Sequence, residues 1–368
     1  MRETNVDTSL LKYFLRRLPV VAAVAAIGSG VVPPVAAACA DHAPADFWSR
    51  ALQSLNVVRD THAEHVAAVA AARREAAARA RAAAAAKQPM PRKKWVTPSR
   101  YERTTYPGTL RAQGCDAGAK HTNGVVVLAF GKPAYNGHTY GTILFSNRFA
   151  SNKAITRGMM AYAYGYVRCL PKGSDAKITL ARGTSNYDPS VPSVYQAGRR
   201  WSRETMTLAT YLRRHPAIGA HVTSAAGIDA EPAWDPRFHR THAFFDGFRS
   251  AKTGYLLYNF GSLDGGVGSI WSLRQAFYVA GGMKYARVMP EIYYKVQAKQ
   301  WANLARLAML TYHRPVQFVG VMTQHFSGCR GCGYTAREAH SQLGQALKRH
   351  PVTREQVRML ASATNIGG

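Results

Sequence analysis

Acidic residues are scarce in this chain: its 368 residues hold 20 Asp plus Glu against 48 Lys plus Arg, a formal net charge of +28. That balance excludes a surface of evenly mixed sign and favours anionic partners: nucleic acid, anionic lipid surfaces or acidic cell-envelope polymers. An Arg- and Ala-rich usage typical of a high-GC genome offers a plainer origin for the same excess. Other absences narrow the chemistry. No Gly-x-Gly-x-x-Gly follows the first apolar strand, and there is no Walker loop and no Gly-x-Ser-x-Gly elbow. Dinucleotide binding, P-loop phosphate chemistry and an α/β-hydrolase nucleophile therefore have no support. His239 and His242 stand at i, i+3 with no acidic third ligand placed beside them, so no metal and no cofactor are expected. No repeat of fixed period is visible.

Cysteine is rare too, at five residues. Setting aside Cys39, the four that remain suggest two disulfides in an exported chain, Cys115 with Cys169 and Cys329 with Cys332 in the tight "CRGC" loop. Export is indicated by the N-terminus. Lys12, Arg16 and Arg17 precede an apolar run that ends in small residues at Ala36-Ala37-Ala38 and Ala38-Cys39-Ala40, the pattern a signal peptidase reads. Cys39 is also placed where a lipid could be attached. Gly28, Gly30, Pro33 and Pro34 interrupt the run before the ~20 residues a bilayer span needs, so no transmembrane span is expected in the mature chain.

What is present falls into three parts. Residues 1–40 read as the signal peptide. Residues 41–108 read as an Ala/Arg-rich helix followed by a Pro-rich basic linker, because Ala and Arg lose little on helix formation and prolines mark extended chain. Residues 109–368 change texture, and a hydrophobic content of 47% over the whole chain supports a packed core. Strands are expected at 124–131, 176–188, 220–231, 254–262, 274–281, 286–293 and 316–325. Helices are expected at 155–170, 193–215, 238–250, 295–312 and 335–350. Apolar strands alternating with helices imply a parallel sheet covered on both faces. Some 250 residues of this pattern suit a TIM-like (β/α) barrel, with an open doubly wound sheet as the alternative.

In such a barrel the chemistry sits where strands end. The expected ends carry Asn186, Asp229 and Glu231, Tyr258 and Asn259, Glu291 and Tyr293, and Gln324 and His325. The run "GIDAEPAW" (227–234) is the most pointed of them. Side chains alternate along a strand, so Asp229 and Glu231 face the same way. Two carboxylates so close repel each other and lose hydration, and one of them tends to keep its proton. A protonated carboxyl beside a charged one is the equipment of glycoside hydrolysis. Glu231, nearer the rim, is the candidate general acid. Asp229 would tune it or stabilise positive charge, Glu291 would serve as nucleophile or base, and Trp234 could stack on a sugar. In so basic a chain the same acids could instead pair with arginines, and the tryptophans could simply fill the core.

The Asp229-x-Glu231 strand end is similar to that of barrel-fold glycoside hydrolases, notably the family 25 lysozymes and related glycoside-hydrolase-like domains of secreted bacterial proteins. The resemblance implies that Glu231 is the acid and Asp229 its assistant. The strand at 124–131, read as the first, lacks the acidic residue those lysozymes carry there. The expected protein is thus a secreted or envelope-associated monomer acting on a polysaccharide or anionic cell-envelope polymer. The alternative is a barrel that binds polysaccharide without cleaving it. Nucleic-acid binding by the basic N-terminal part has no aromatic-basic signature behind it.

Overall fold

A computed structural model describes residues 96–325 and 333–367. The signal segment, the Ala/Arg-rich helix, the linker up to residue 95 and the Cys329–Cys332 pair lie outside the described residues.

Eight parallel strands form one sheet in the order β10-β11-β1-β2-β6-β7-β8-β9. They are β1 (Val96–Tyr101), β2 (Gly124–Ala129), β6 (Ile178–Ser185), β7 (Val222–Asp229), β8 (Leu257–Asn259), β9 (Ala286–Val288), β10 (Gly320–Thr323) and β11 (Ser362–Gly367). The outer strands meet through the isolated bridges Val288↔Phe318 and Glu291↔Met322. The sheet is therefore a nearly closed barrel. A three-stranded antiparallel insertion, β3 (Lys132–Tyr135), β4 (Tyr140–Ile143) and β5 (Phe149–Ser151), follows β2 at its C-terminal end.

Helices α1 (Pro107–Ala119), α2 (Asn152–Arg168), α3 (Val194–Arg214), α4 (Pro216–Gly219), α5 (His239–Ser250), α6 (Leu273–Phe277), α7 (Lys295–Tyr312) and α8 (Ala336–Lys348) connect the strands. Outward-facing Val126, Leu128, Leu180 and Ile228 pack under Tyr162, Tyr166, Phe244 and Phe245. A second core lies under α7 and α8 around Trp301, Leu304, Val321 and Leu343. The lumen is filled by Val125, Val127, Ala181, Ala225, Tyr258, Phe260, Met289 and Met322. It is a packed interior, not a pore.

The Cys115–Cys169 disulfide is present, with its Cα atoms 4.9 Å apart. It ties α1 to the end of α2, which meet backbone to backbone. A Cβ on Gly114 would lie 2.1 Å from the Tyr162 carbonyl oxygen, and one on Gly118 2.1 Å from that of Tyr166. Only glycine permits that approach.

Three assignments made from the sequence change. The stretch 274–281 is not a strand: Ser272 caps α6 in a reciprocal capping box with Gln275, and a π turn continues it to Gly282. β1 lies inside residues assigned to the linker, where it pairs with β11 and β2. β11 lies where no strand was expected. Both have polar inward faces. Ser99 and Thr364 are hydrogen-bonded at 2.6 Å, Ser99 Oγ accepts from Val127 N at 2.8 Å, and Ser362 Oγ accepts from Val125 N at 3.0 Å. Hydroxyls thus take up backbone donors of β2 beside Pro98, which has no N–H of its own to offer the ladder.

Candidate functional site

The C-terminal mouth of the barrel collects most of the chain's chemistry. β7 ends at Asp229, Glu231 follows it two residues on, and the Pro232–Trp234 turn then bends the chain over the rim. Asp229 is buried and its Oδ1 has no hydrogen-bond partner. Glu231 is half-buried, and Glu291, beyond β9, is buried at 3% exposure. Among the described residues no lysine, arginine or histidine forms a salt bridge with any of the three. The described arginines therefore do not supply the pairing that the basic composition offered.

Unpaired burial has an electrostatic consequence. Loss of hydration, then the neighbouring Glu291, Glu231 and Asp264 charges, hold the Asp229 carboxyl well above the usual carboxylate range. Burial and then Glu231 act likewise on Glu291, while a hydrogen bond from Tyr293 opposes them. Glu231 is pushed from 4.5 to about 7 by burial and by Asp264, against hydrogen bonds from the Ser262 side chain and backbone. Burial and the same carboxylates push the Tyr101 and Tyr293 phenols up, so both stay neutral donors. The mouth thus holds three carboxyls displaced upward together, of which Glu231 is placed at about 7.

Its geometry is held from several strands. Asn186 closes a two-way clamp on the Glu231 backbone: its Nδ2 donates to Glu231 O at 2.9 Å, and its Oδ1 accepts from Glu231 N at 3.1 Å. The same Nδ2 donates to Thr241 Oγ1, which in turn donates to the buried Asp235. Asn259 Oδ1 accepts from Ala230 N and Gly261 N, fixing where β7 and β8 end. Asp264 bonds Ser262 Oγ and Ala233 N, so the loop after β8 reaches back to the turn after β7. Below the acids, Phe260 forms the floor. A Cβ on Gly227 would lie 3.0 Å from its Cε1, and Gly183 stands beside Gly227.

Of the sequence-derived candidates, Asp229, Glu231, Glu291 and Tyr293 come together. Asn186 and Asn259 are buried; Asn186 is spent on the Glu231 backbone and Thr241, while Asn259 gives its oxygen to backbone and its Nδ2 has no hydrogen-bond partner among the described residues. Tyr258 lies in the lumen with Thr179 and Arg287 near its hydroxyl, one pleat below Phe260 and away from the mouth. Trp234 is half-buried, edge-on to Tyr187 at 5.5 Å. Gln324 is half-buried and His325 exposed, with the His325 backbone clamped by Asn365.

Sequence reasoning missed Tyr101 and Ser262, and it offers Asp264 as a binding residue rather than as a charge acting on Glu231. Tyr101 was hidden with β1, and "SLDGG" reads as a plain turn. It also took β2 for the first strand. The first strand is β1, and an acid does follow it: Glu102, buried, raised to about 7 by desolvation. It hydrogen-bonds Gln113 of α1 and so stands outside the mouth. No group of three or more His, Cys, Asp and Glu among the described residues is arranged to hold a metal ion.

No protein-family model matches the sequence, and no curated protein matches it.

Proposed function

We propose that the chain is a glycoside-hydrolase-like protein that cleaves a glycan by carboxylate acid/base catalysis, in keeping with its resemblance to the family 25 lysozymes. One observation carries the reading: three inward carboxyls at one barrel mouth, none in a salt bridge with a cation among the described residues, one of them pushed up to about 7. A general acid works best with its pKa near the working pH. Glu231 donates its proton to the glycosidic oxygen as the anomeric C–O bond breaks. A water oxygen forms the new bond to that carbon, and the water's proton passes to a carboxylate. Positive charge developing on the sugar is stabilised by whichever of Asp229 and Glu291 enters the reaction ionised, an attraction that is greatest in the transition state. Neutral Tyr293 orients Glu291, Tyr101 in turn hydrogen-bonds Tyr293, and both phenols bond sugar hydroxyls.

The experiment is release of reducing ends from cell-wall glycan by the wild type and by Glu231→Gln. Release that the variant lacks supports the reading, and equal release by both removes Glu231 from the role. The deep burial of Asp229 and Glu291 favours a second reading, a barrel that holds polysaccharide without cleaving it. Retention on cell walls with no reducing ends at any pH would establish that one. The signal-like N-terminus supports a place outside the cytoplasm, on or beyond the envelope.

A further inference from the structure

Beside the acidic mouth lies a pocket of opposite character. It has a volume of about 530 Å³ and is lined by Arg103, Arg148 and Arg157, by Thr104 and Thr105, and by Tyr106. No Asp or Glu lines it, and none of the three arginines forms a salt bridge among the described residues. The 13-residue helix α1 starts at its wall with no side-chain cap, so the positive end of a helix dipole adds to the three guanidinium groups. Tyr106 is 68% exposed, an open aromatic face beside the cations. The volume suits one or two sugar or polyol units.

Its position ties it to the site. Arg103 follows Tyr101 and Glu102 directly, at the C-terminal end of β1. The Tyr101 ring, which feels the charges of Glu291, Asp229 and Glu231, meets Phe145 at 4.8 Å between centroids. Phe145 is exposed, and its chain neighbour Leu144 lines the pocket. This aromatic pair therefore links the acids to a chain neighbour of the pocket's lining. A neutral glycan would leave three guanidinium groups unused. Guanidinium pairs with carboxylate and phosphate by parallel N–H···O bonds.

We infer that this pocket is an anion subsite, and that the polymer crossing the mouth carries a carboxylate or phosphodiester group on a unit next to the one held by the acids. The inference rests on the function proposed above, and it gives the net charge of +28 a specific location. An anionic chain is repelled by the acids unless they are protonated, so the arginines also set which unit lies over Glu231.

The test separates the two claims by measuring binding in a Glu231→Gln background, where no cleavage is needed. Probes are an oligogalacturonate for carboxylate, a poly(glycerol phosphate) for phosphodiester, and a neutral chito-oligosaccharide. The pocket variant is Arg103→Gln/Arg148→Gln/Arg157→Gln. A control of equal charge change, Arg214→Gln/Lys252→Gln/Lys284→Gln, alters exposed residues near the N-terminal ends of the strands. The pocket variant should bind one of the two anionic probes about tenfold more weakly, bind the neutral probe unchanged, and lose most of the salt dependence of the parent. The probe affected names the source of the anion. Equal weakening by both triple variants would reduce the effect to overall charge and overturn the subsite. So would unchanged affinity in the pocket variant, or failure of the parent to bind either anionic probe at low salt. Normal cleavage by Glu231→Gln would instead overturn the catalytic reading and leave these binding results standing.

Discussion

Glu231→Gln separates a catalytic acid from a structural one, because the two roles predict opposite changes in stability. The Glu231 carboxyl titrates at about 7 in the fold against 4.5 when free. At pH 7 roughly half the molecules carry the proton, against roughly 0.3% for an ordinary glutamate. The displacement also acts on folding. Between pH 4.5 and 7 the native state binds more protons than the unfolded chain, so stability falls as pH rises through that window. At about 1.4 kcal/mol per pH unit, ionising this group costs the fold about 3 kcal/mol by pH 8. Glutamine cannot ionise. The variant should therefore match the parent at pH 4 and exceed it at pH 8 by about 3 kcal/mol, a rise in Tm of several degrees. Its cleavage should fall by about 10²–10⁴-fold. In the parent, kcat/KM should decline above about pH 7 as the acid loses its proton. Thermal scans at pH 4 and 8, beside a pH–rate profile, give all three quantities. A variant less stable than the parent at pH 8 would refute the electrostatic account, and cleavage within about tenfold of the parent would refute the assignment of the acid.

Asp229→Asn should also raise Tm at pH 8 while lowering cleavage, since it removes a buried, unpaired carboxylate; a drop in Tm would show that the charge is compensated. Asn186→Ala should remove the clamp on the Glu231 backbone and cost about 1–3 kcal/mol in urea unfolding, with kcat falling more than KM rises. Gly227→Ala should cost about 1–3 kcal/mol, because its methyl meets Phe260 at 3.0 Å; unchanged stability would mean that the ring moves freely. Replacing Cys115 and Cys169 by serine should cost about 4 kcal/mol, from a loop of 54 residues, measured as a fall in the denaturation midpoint.

Residues 220–231 show how much could be read in advance. The run is apolar and ends in Asp229-x-Glu231, so both the strand and the shared direction of its acids follow from local alternation. The strands at 124 and 178 and the long helices are legible for the same reason: their period matches the face they bury. β1 and β11 defeat that logic. Their inward residues are Thr97, Ser99, Ser362 and Thr364, whose hydroxyls are satisfied only by partners more than 25 positions away. Apolar period is then no guide, and "VTPSRY" looks like linker. The apolar "RQAFYVAG" was ambiguous by period alone, although the Ser272–Gln275 capping box was there to be read.

The sequence by itself determined the alternation of strands and helices, the Cys115–Cys169 pairing and the side of β7 on which two carboxylates stand. Those are local properties, or in the disulfide's case one with few alternatives. Only the tertiary structure decided that Glu291, Asp264 and Tyr101 join them, that no arginine among the described residues forms a salt bridge with them, and that three arginines gather in the neighbouring pocket. Closing the barrel brings the ends of strands far apart in sequence to one mouth. The proton affinity of each acid there depends on what surrounds it in space, not on its neighbours along the chain.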